Sequence, residues 1–347
     1  MDNYPAVKQD ICIMENRCAN CVLICPEKAI KAASKGNRKS AFINHESCTR
    51  CGLCYQVCPV NAIDDMDANS SMLKGIKLSE EGKKIIFICE RTGFKYNGAD
   101  KNLAIYTSHI SSISFRGLTG ILSNGSSVNL IGCNECKETG HLKKLAEFFA
   151  RNGYERAFKI SDNVDGNDND RGYFFNEGLL GRLFNSSSDR LPFPGTAWID
   201  IGERCTLCQN CSNVCPTGAL ALKRGKGQGA RGREDEKIFL VYNHSLCKGC
   251  PVCEKACPER CIIIDRRLRL DKWFNAETKC EKGILLCRGC GMPMAADSVF
   301  MRVRQRLLSQ GLNADHIEYC PDCKLKRNNT YKTDNAKTAA LFMKNTA

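Results

Sequence analysis

The run of cysteines between residues 247 and 257 constrains this chain more than any other feature of its sequence. The cysteines follow the spacing C-x2-C-x2-C-x3-C, and a proline comes directly after the last of them, at Cys247, Cys250, Cys253, Cys257 and Pro258. Three thiolates at this spacing can wrap one face of a cubic 4Fe-4S core, while the fourth, before the proline, serves the core of a second run. The run therefore predicts an iron–sulfur site and requires another run like it.

The second run lies just upstream and has the same spacing and the same trailing proline, at Cys205, Cys208, Cys211, Cys215 and Pro216. Residues 200 to 266 thus resemble the bacterial two-cluster ferredoxins. The resemblance implies that the two runs exchange their fourth ligands. One 4Fe-4S cluster would be bound by Cys205, Cys208, Cys211 and Cys257, and its partner by Cys247, Cys250, Cys253 and Cys215. Structural zinc is disfavoured, because two complete matches to the iron–sulfur spacing are improbable by chance.

Residues 1–66 repeat this module. The segment INHESCTRCGLCYQVCPVNAI aligns with YNHSLCKGCPVCEKACPERCI, and a complete run is present at Cys48, Cys51, Cys54 and Cys58. The run before it is one cysteine short, with only Cys18, Cys21 and Cys25 before Pro26. By the same exchange, Cys58 would complete the first cluster, and Cys25 would join Cys48, Cys51 and Cys54.

The missing ligand of the first run can be placed in two ways. Alignment on the proline puts the absent first cysteine at Glu15, whereas alignment of ENRC with GERC makes Cys18 the first and deletes a later ligand. In both alignments Cys12 is the nearest spare thiolate, and we predict that it is the replacement. The alternatives are a three-iron cluster and a carboxylate-ligated cluster, since a fourth iron needs a fourth donor.

The middle of the chain has the composition of an ordinary α/β domain. KKIIFIC (83–89) and SVNLIGC (127–133) have the length and apolar character of strands, and HLKKLAEFFARNGYE (141–155) has apolar residues at helical spacing. If the strands are parallel, their C-terminal ends bring Cys89 close to Cys133 and Cys136. The arrangement resembles the small iron–sulfur domain that couples hydrogenases to heterodisulfide reductases in methanogens. An additional iron–sulfur or redox site is implied, with His109, His141 or Cys280 as candidate fourth ligands; inert buried thiols are the alternative.

Two C-x2-C knuckles follow the second module, at Cys287, Cys290, Cys320 and Cys323. Four thiolates in this pattern indicate a tetrahedral zinc site that is similar to a zinc ribbon, with a single iron ion or no metal as alternatives. Residues 298–310, between the knuckles, read as an amphipathic helix rather than as ribbon strands. The Gly-rich basic segment 223–237 is expected to be a flexible loop, and residues 327–347 a basic tail.

Composition limits the function classes. The 25 cysteines stand mostly in ligand spacing, which favours a reducing, oxygen-protected compartment. No stretch of 18 apolar residues is present and the N-terminus lacks the pattern of a signal peptide, so we expect no membrane span and a cytoplasmic location. The formal charge of +13 would suggest nucleic acid, but four clusters and one zinc with their thiolates reduce it to roughly +3. Nucleic acid is therefore an unlikely partner.

The sequence as a whole predicts a multidomain α+β chain in which two two-cluster modules flank an α/β domain. The expected domains are residues 1–66, 67–198, 199–270, a zinc-ribbon-like element at 271–326, and the tail. The predicted function is electron transfer, as a multi-cluster ferredoxin-like subunit that relays single electrons within or to an oxidoreductase complex. Catalysis is expected from a partner subunit, with a soluble electron carrier as the other partner, because no G-x-G-x-x-G motif follows a strand. The alternatives are a self-contained iron–sulfur enzyme that uses the middle domain and a nucleic-acid-binding metalloprotein.

Overall fold

The computed structural model describes residues 4–35, 38–64, 66–80, 83–97, 103–133, 139–161, 177–228 and 234–327. As the sequence predicts, the chain is a multidomain mixture of helices and strands. It divides into two compact units. The first contains Met1–Asp200, Cys211–Leu220 and Tyr242–Glu277, and the second contains Ile201–Asn210, Ala221–Val241 and Thr278–Ala347. Within the described ranges, no helix has both the length and the apolar character needed to cross a bilayer.

The first module is built from short elements around the two N-terminal cysteine runs. In chain order they are β1 (Ala6–Val7), α1 (Asn20–Ile24), β2 (Ile30–Lys35), β3 (Arg38–Ile43), α2 (Leu53–Val57) and β4 (Ile63–Asp64). Strand β1 pairs antiparallel with β4, and β2 forms a hairpin with β3. Aliphatic side chains from these strands are buried together with cysteines of both runs. The small core therefore surrounds the sites that the cysteine spacing predicts.

A four-stranded sheet follows the first module. Its elements are α3 (Met66–Ser79), β5 (Ile85–Cys89), β6 (Ala104–Thr107), α4 (Phe115–Ser123), β7 (Val128–Ile131), α5 (Gly140–Arg151), β8 (Phe158–Ser161) and α6 (Glu177–Asn185). The strand order is β6-β5-β7-β8, and every neighbouring pair is parallel. All residues of β5 are buried, as expected of a central parallel strand with both faces covered.

Helix α5 lies where the sequence predicts a helix, but it ends at Arg151 rather than at residue 155. Leu142, Leu145, Phe148 and Phe149 are its fully buried face. The helix ends early because Gly153 adopts a left-handed conformation, with φ of +79°, that a right-handed helix cannot continue. Helix α3 approaches the sheet at Gly75, where a Cβ atom would lie 2.7 Å from the ring of Phe87.

The second module repeats the plan of the first. Its elements are β9 (Arg190–Leu191), β10 (Trp198–Ile201), α7 (Asn210–Asn213), β11 (Leu220–Gln228), β12 (Glu234–Asn243), α8 (Val252–Ala256), β13 (Ile262–Asp265) and β14 (Leu268–Arg269). Strand β10 pairs with β13, and β9 pairs antiparallel with β14. The pairing of β10 with β13 corresponds to that of β1 with β4 in the first module.

The basic segment 223–237 is mostly strand, so the prediction of a flexible loop is wrong for the described residues. They lie in β11 and β12, and only 229–233 fall outside the described ranges. Two glycines of β11 lie against side chains of β12. A Cβ atom at Gly227 would lie 2.7 Å from the Lys237 side chain, and one at Gly225 would lie 3.6 Å from the ring of Phe239. Composition suggested a loop, but the absence of a side chain at Gly227 leaves room for Lys237 on the partner strand.

The second unit contains a sheet with the order β11-β12-β15-β16, in which β15 is Ala276–Leu286 and β16 is Pro293–Ala296. Strands β15 and β16 are antiparallel. Helix α9 (Asp297–Ser309) starts directly after β16, close to the predicted span of 298–310. The two C-terminal knuckles are therefore separated by a strand and a helix.

Candidate metal centres

The four ligand runs share one backbone conformation. A residue with positive φ precedes the second cysteine position of each run, at Arg17 (64°), Arg50 (54°), Leu207 (54°) and Gly249 (66°). Another lies three residues after each final cysteine, at Lys28 (51°), Asn61 (52°), Gly218 (67°) and Arg260 (48°). Three final cysteines are extended, as the proline that follows each of them requires: Cys25, Cys58 and Cys257, with ψ of 114°, 116° and 113°.

This repeat decides how the irregular first run aligns. Arg17 stands before Cys18 as Arg50 stands before Cys51, so Cys18 is the second cysteine of its run. The missing first cysteine therefore corresponds to Glu15, which is the alignment on the proline. The alignment that makes Cys18 the first cysteine does not fit the backbone.

Cys12 lines a small cavity together with cysteines of both N-terminal runs, whereas Glu15 does not. The cavity is lined by the thiols of Cys12, Cys18, Cys21 and Cys58, and the rest of its lining is apolar apart from Asn20. Cys12 is 8% exposed, while Glu15 is an exposed residue outside this lining. Burial raises the pKa of Cys21 to about 12, with the neighbouring Cys18, Cys58 and Cys12 adding to the effect. Four convergent thiols in an apolar cavity suit an iron–sulfur cluster, which supplies the positive charge that thiolates need there.

Backbone amides point at the thiols that follow α1 and α2. The N–H of Ala29 donates to Cys25 Sγ over 3.3 Å, and the N–H of Ala62 donates to Cys58 Sγ over 3.1 Å. Hydrogen bonds of this kind to the sulfur of a cluster ligand raise the potential of the cluster. Cys25, Cys48 and Cys54 pack in the same apolar core of the first module.

Cys215 lies with the run that it is predicted to join. Burial raises the pKa of Cys250 to about 12, and Cys247 and Cys215 contribute to the rise as neighbouring thiols. The pKa of Cys253 is raised in the same way by burial and then by Cys247, Cys250 and Cys215. These four thiols, two buried and two half-buried, are mutual neighbours, an arrangement that suits a cluster.

The remaining cysteines of the second module lie on different elements. Cys211 lies within α7, and Cys257 ends α8 with its Sγ 3.5 Å from that of Cys261. Cys205 and Cys208 belong to the second unit, where the first is buried and the second half-buried.

A polar junction joins the first module to the loop of Cys247–Cys250. Asn20 Nδ2 donates to the carbonyl oxygen of Lys248 over 2.9 Å and to that of Val57 over 3.3 Å. Lys248 Nζ donates to the carbonyl oxygen of Gln56 over 2.7 Å. Burial lowers the pKa of Lys248, and Cys18 is among the neighbours that raise the pKa of Cys250. Sequence reasoning missed Asn20 and Lys248, because nothing in their local spacing marks them.

The C-terminal knuckles bring four thiols together in the second unit. The Sγ atoms of Cys287, Cys290, Cys320 and Cys323 all lie within 4.8 Å of one another. The N–H of Cys320 donates to Cys287 Sγ over 3.2 Å, and this bond, together with those from Cys290 and Gly289, lowers the pKa of Cys287 to about 6. Gly289 leaves room for the site, because a Cβ atom there would lie 2.9 Å from Cys323 Sγ. The donor set is that of a structural zinc site.

Two of the three cysteines predicted in the middle of the chain come together. Cys89 ends β5, and its Sγ lies 3.6 Å from that of Cys133, which follows β7. Cys136 lies outside the described residues. Of the suggested fourth ligands, His109 has its Nδ1 2.6 Å from Ser111 Oγ, and Cys280 lies on β15.

Comparison with known proteins agrees with the two modules. Residues 5–66 and residues 204–261 each match a 4Fe-4S dicluster domain. The pyruvate synthase subunit PorD of Methanocaldococcus jannaschii is 39% identical over 60 residues, which are 17% of this chain and 56% of PorD. PorD of Methanothermobacter marburgensis is 39% identical over 59 residues, 17% of this chain and 60% of that protein. An F420H2 dehydrogenase subunit of Methanosarcina mazei is 29% identical over 94 residues, 26% of each protein.

These matches confirm the predicted resemblance to two-cluster ferredoxins for both modules, and with it the prediction of iron–sulfur clusters. The chain spans between 26% and 60% of the length of these relatives. The likeness therefore concerns the cluster-binding regions.

Proposed function

We propose that this chain is the iron–sulfur electron-transfer subunit of an oxidoreductase complex, in which it relays single electrons between a catalytic subunit and an electron carrier. The observation that carries the proposal is that two groups of cysteines are neighbours in one compact unit. The first group is Cys12, Cys18, Cys21 and Cys58. The second group is Cys215, Cys247, Cys250 and Cys253. A lone carrier needs one or two clusters, whereas two modules held together suit an internal relay. Relatives named as subunits of pyruvate synthase and of F420H2 dehydrogenase support the same class.

Four 4Fe-4S clusters are proposed, each of which takes up and releases one electron when bound. Two would be held by the thiol groups just described. The ligand exchange assigns Cys25, Cys48, Cys51 and Cys54 to the third cluster, and Cys205, Cys208, Cys211 and Cys257 to the fourth. Cys12 would supply the ligand that the first run lacks, since it lines the cavity and Glu15 does not.

The residues between the modules would hold the relay together and adjust its electrostatics. Asn20 and Lys248 fix the loop of Cys18–Cys21 against the loop of Cys247–Cys250. Lys248 is half-buried, and its ammonium group interacts electrostatically with Cys58 and Cys247, where a positive charge would favour the reduced, more negative state of a nearby cluster.

The C-terminal cysteines are proposed to bind one zinc ion with a structural role, or a single iron ion in its place. Zinc has no redox chemistry in proteins, so this site would stabilise the second unit rather than carry electrons. The chain is proposed to act in the cytoplasm, where reducing conditions maintain thiolate ligands.

Metal analysis and a reductive titration test the proposal. Protein purified without oxygen should contain about 16 iron, about 16 acid-labile sulfide and about one zinc, and it should take up about four electrons per chain. Zinc at many sites with almost no sulfide would overturn it. Binding of nucleic acid at low salt that weakens steeply with salt would favour the alternative of a nucleic-acid-binding metalloprotein.

A further inference from the structure

A pair of thiols lies at the C-terminal edge of the parallel sheet, outside every ligand run. The register pairs Ile88 with Ile131, so that Cys89 at the end of β5 is level with Gly132, the residue before Cys133. The two Sγ atoms are 3.6 Å apart, which is van der Waals contact between sulfur atoms. A disulfide usually joins cysteines whose Cα atoms lie roughly 4.4 to 6.8 Å apart, so it needs cysteines on neighbouring backbone segments, as these two are.

The two thiols differ in accessibility. Cys89 is 0% exposed, whereas Cys133 is half-buried in the loop after β7. The thiol of Cys89 lies 3.6 Å from the carbonyl oxygen of Ser108, to which it donates. Cys133 is thus the outer thiol and Cys89 the inner one.

We propose that Cys133 and Cys89 form an exchange-active dithiol that reduces small disulfides, with Cys133 as the attacking thiol and Cys89 as the resolving thiol. The proposed ligand is a low-molecular-mass disulfide, because a small molecule can bring its sulfur to a thiol that is half-buried. This activity goes beyond the proposed electron relay and does not depend on it.

The reaction balances without another cofactor. The Cys133 thiolate attacks one sulfur of R–S–S–R, so that a mixed disulfide forms and RS⁻ leaves with the proton that Cys133 gave up. The Cys89 sulfur then attacks the Cys133 sulfur and displaces the second RS⁻, which takes the proton of Cys89. The substrate gains two electrons and two protons and becomes two thiols, while the protein pair becomes a disulfide. An external dithiol reverses both steps and restores the pair.

The site also lies beside the first module. Ser111 lies three residues after Ser108, whose carbonyl oxygen accepts from Cys89. Its hydroxyl donates to the carbonyl oxygen of Cys51 over 2.7 Å. Arg91, just after β5, donates to the carbonyl oxygen of Thr49. A change of oxidation state at Cys89 therefore occurs next to backbone that carries cluster ligands.

Peptide mapping of the full chain with its clusters tests the proposal. Anaerobic protein is treated with bis(2-hydroxyethyl) disulfide, quenched in acid, alkylated and cleaved with trypsin. Cys89 falls in the peptide 85–91, whereas Cys133 and Cys136 share the peptide 117–137. We expect these two peptides to become linked. A bond within 117–137, or no bond at all, overturns the proposal.

Variants separate the roles of the two thiols. Cys89→Ser should convert the linked product into a stable mixed disulfide on Cys133 at stoichiometric occupancy, and Cys133→Ser should abolish the reaction. Cys136→Ser and Cys280→Ser should react like the wild type. Cys89→Ala, with the same iron and sulfide content as the wild type, repeats the first result if Cys89→Ser folds poorly. Loss of about two iron and two sulfide from Cys89→Ala would instead identify an iron–sulfur site and overturn the proposal.

Discussion

The side-chain amide of Asn20 donates to the backbone carbonyl of Lys248 over 2.9 Å, a bond between residues 228 positions apart in the sequence. Asn20 stands between Cys18 and Cys21, two proposed ligands of the first run, and Lys248 stands between Cys247 and Cys250, two proposed ligands of the last. The bond therefore holds two cysteine loops in a fixed relation. Lys255 adds a second link, because its Nζ donates to the carbonyl oxygen of Arg17 over 2.8 Å.

Removing the charge of Lys248 should lower cluster potentials. Lys248→Met keeps an unbranched side chain that is one atom shorter and loses a cation near Cys58 and Cys247, so we expect shifts on the order of tens of millivolts to lower potential in the neighbouring clusters. Redox titration followed by EPR measures them. Lys143→Met, on the exposed face of α5, is the control and should leave every potential unchanged. Equal shifts in both variants would contradict a local effect of Lys248.

Cys12 should matter to the first cluster, and Glu15 should not. Cys12→Ala removes one of four thiols that line the cavity, so iron should fall by about one per chain with sulfide retained, as a three-iron core forms. Glu15→Ala should keep the full content, because Glu15 is exposed. Anaerobic iron and sulfide analysis of both proteins decides the matter. Iron loss from Glu15→Ala alone would favour a carboxylate ligand.

The ligand exchange can be tested at Cys215. Cys215→Ser should alter the same EPR signal as Cys250→Ser, because Cys215 is a close neighbour of Cys247 and Cys250. It should not match Cys208→Ser, although Cys208 is nearer in sequence. A shared signal for Cys215→Ser and Cys208→Ser would mean that each run binds its own cluster.

Gly289 should be important for metal affinity at the proposed zinc site. In Gly289→Ala the new methyl group would lie 2.9 Å from Cys323 Sγ, so the knuckles must separate and zinc affinity should fall about tenfold or more. Competition with a coloured chelator measures the affinity. Gly140→Ala is a matched control, because a Cβ atom there meets nothing within 4 Å. Unchanged zinc affinity in Gly289→Ala would show that the knuckles do not close on a common ion.

Sequence reasoning succeeded where the signal is local and failed where it depends on distant parts of the chain. The cysteine spacing predicted both modules because a proline and a few backbone angles fix the shape of each run. It could not place the register of Cys18, which needed the conformation of Arg17 and Arg50. It could not find Lys248 either, because its role comes from Gln56, 192 residues away.

The misjudged segment 223–237 has a similar explanation. Its glycines and charges are typical of loops, yet β12 lies between β11 and β15 in the sheet. Pairing with β15, which begins at Ala276, cannot be read from the composition of the segment itself. The strand conformation of the segment therefore depends on tertiary contacts rather than on its own propensity.

The hydrogen bonds of Ser111 limit where this chain can be truncated. Its hydroxyl bonds to the backbone of Cys51 and its carbonyl accepts from Gln56, so the N-terminal module rests on a loop that belongs to the following sheet. A fragment that stops at residue 66 would leave the buried Gln56 amide without that partner. The N-terminal module is therefore not a detachable ferredoxin, and heating should release its iron and melt the sheet in one cooperative transition.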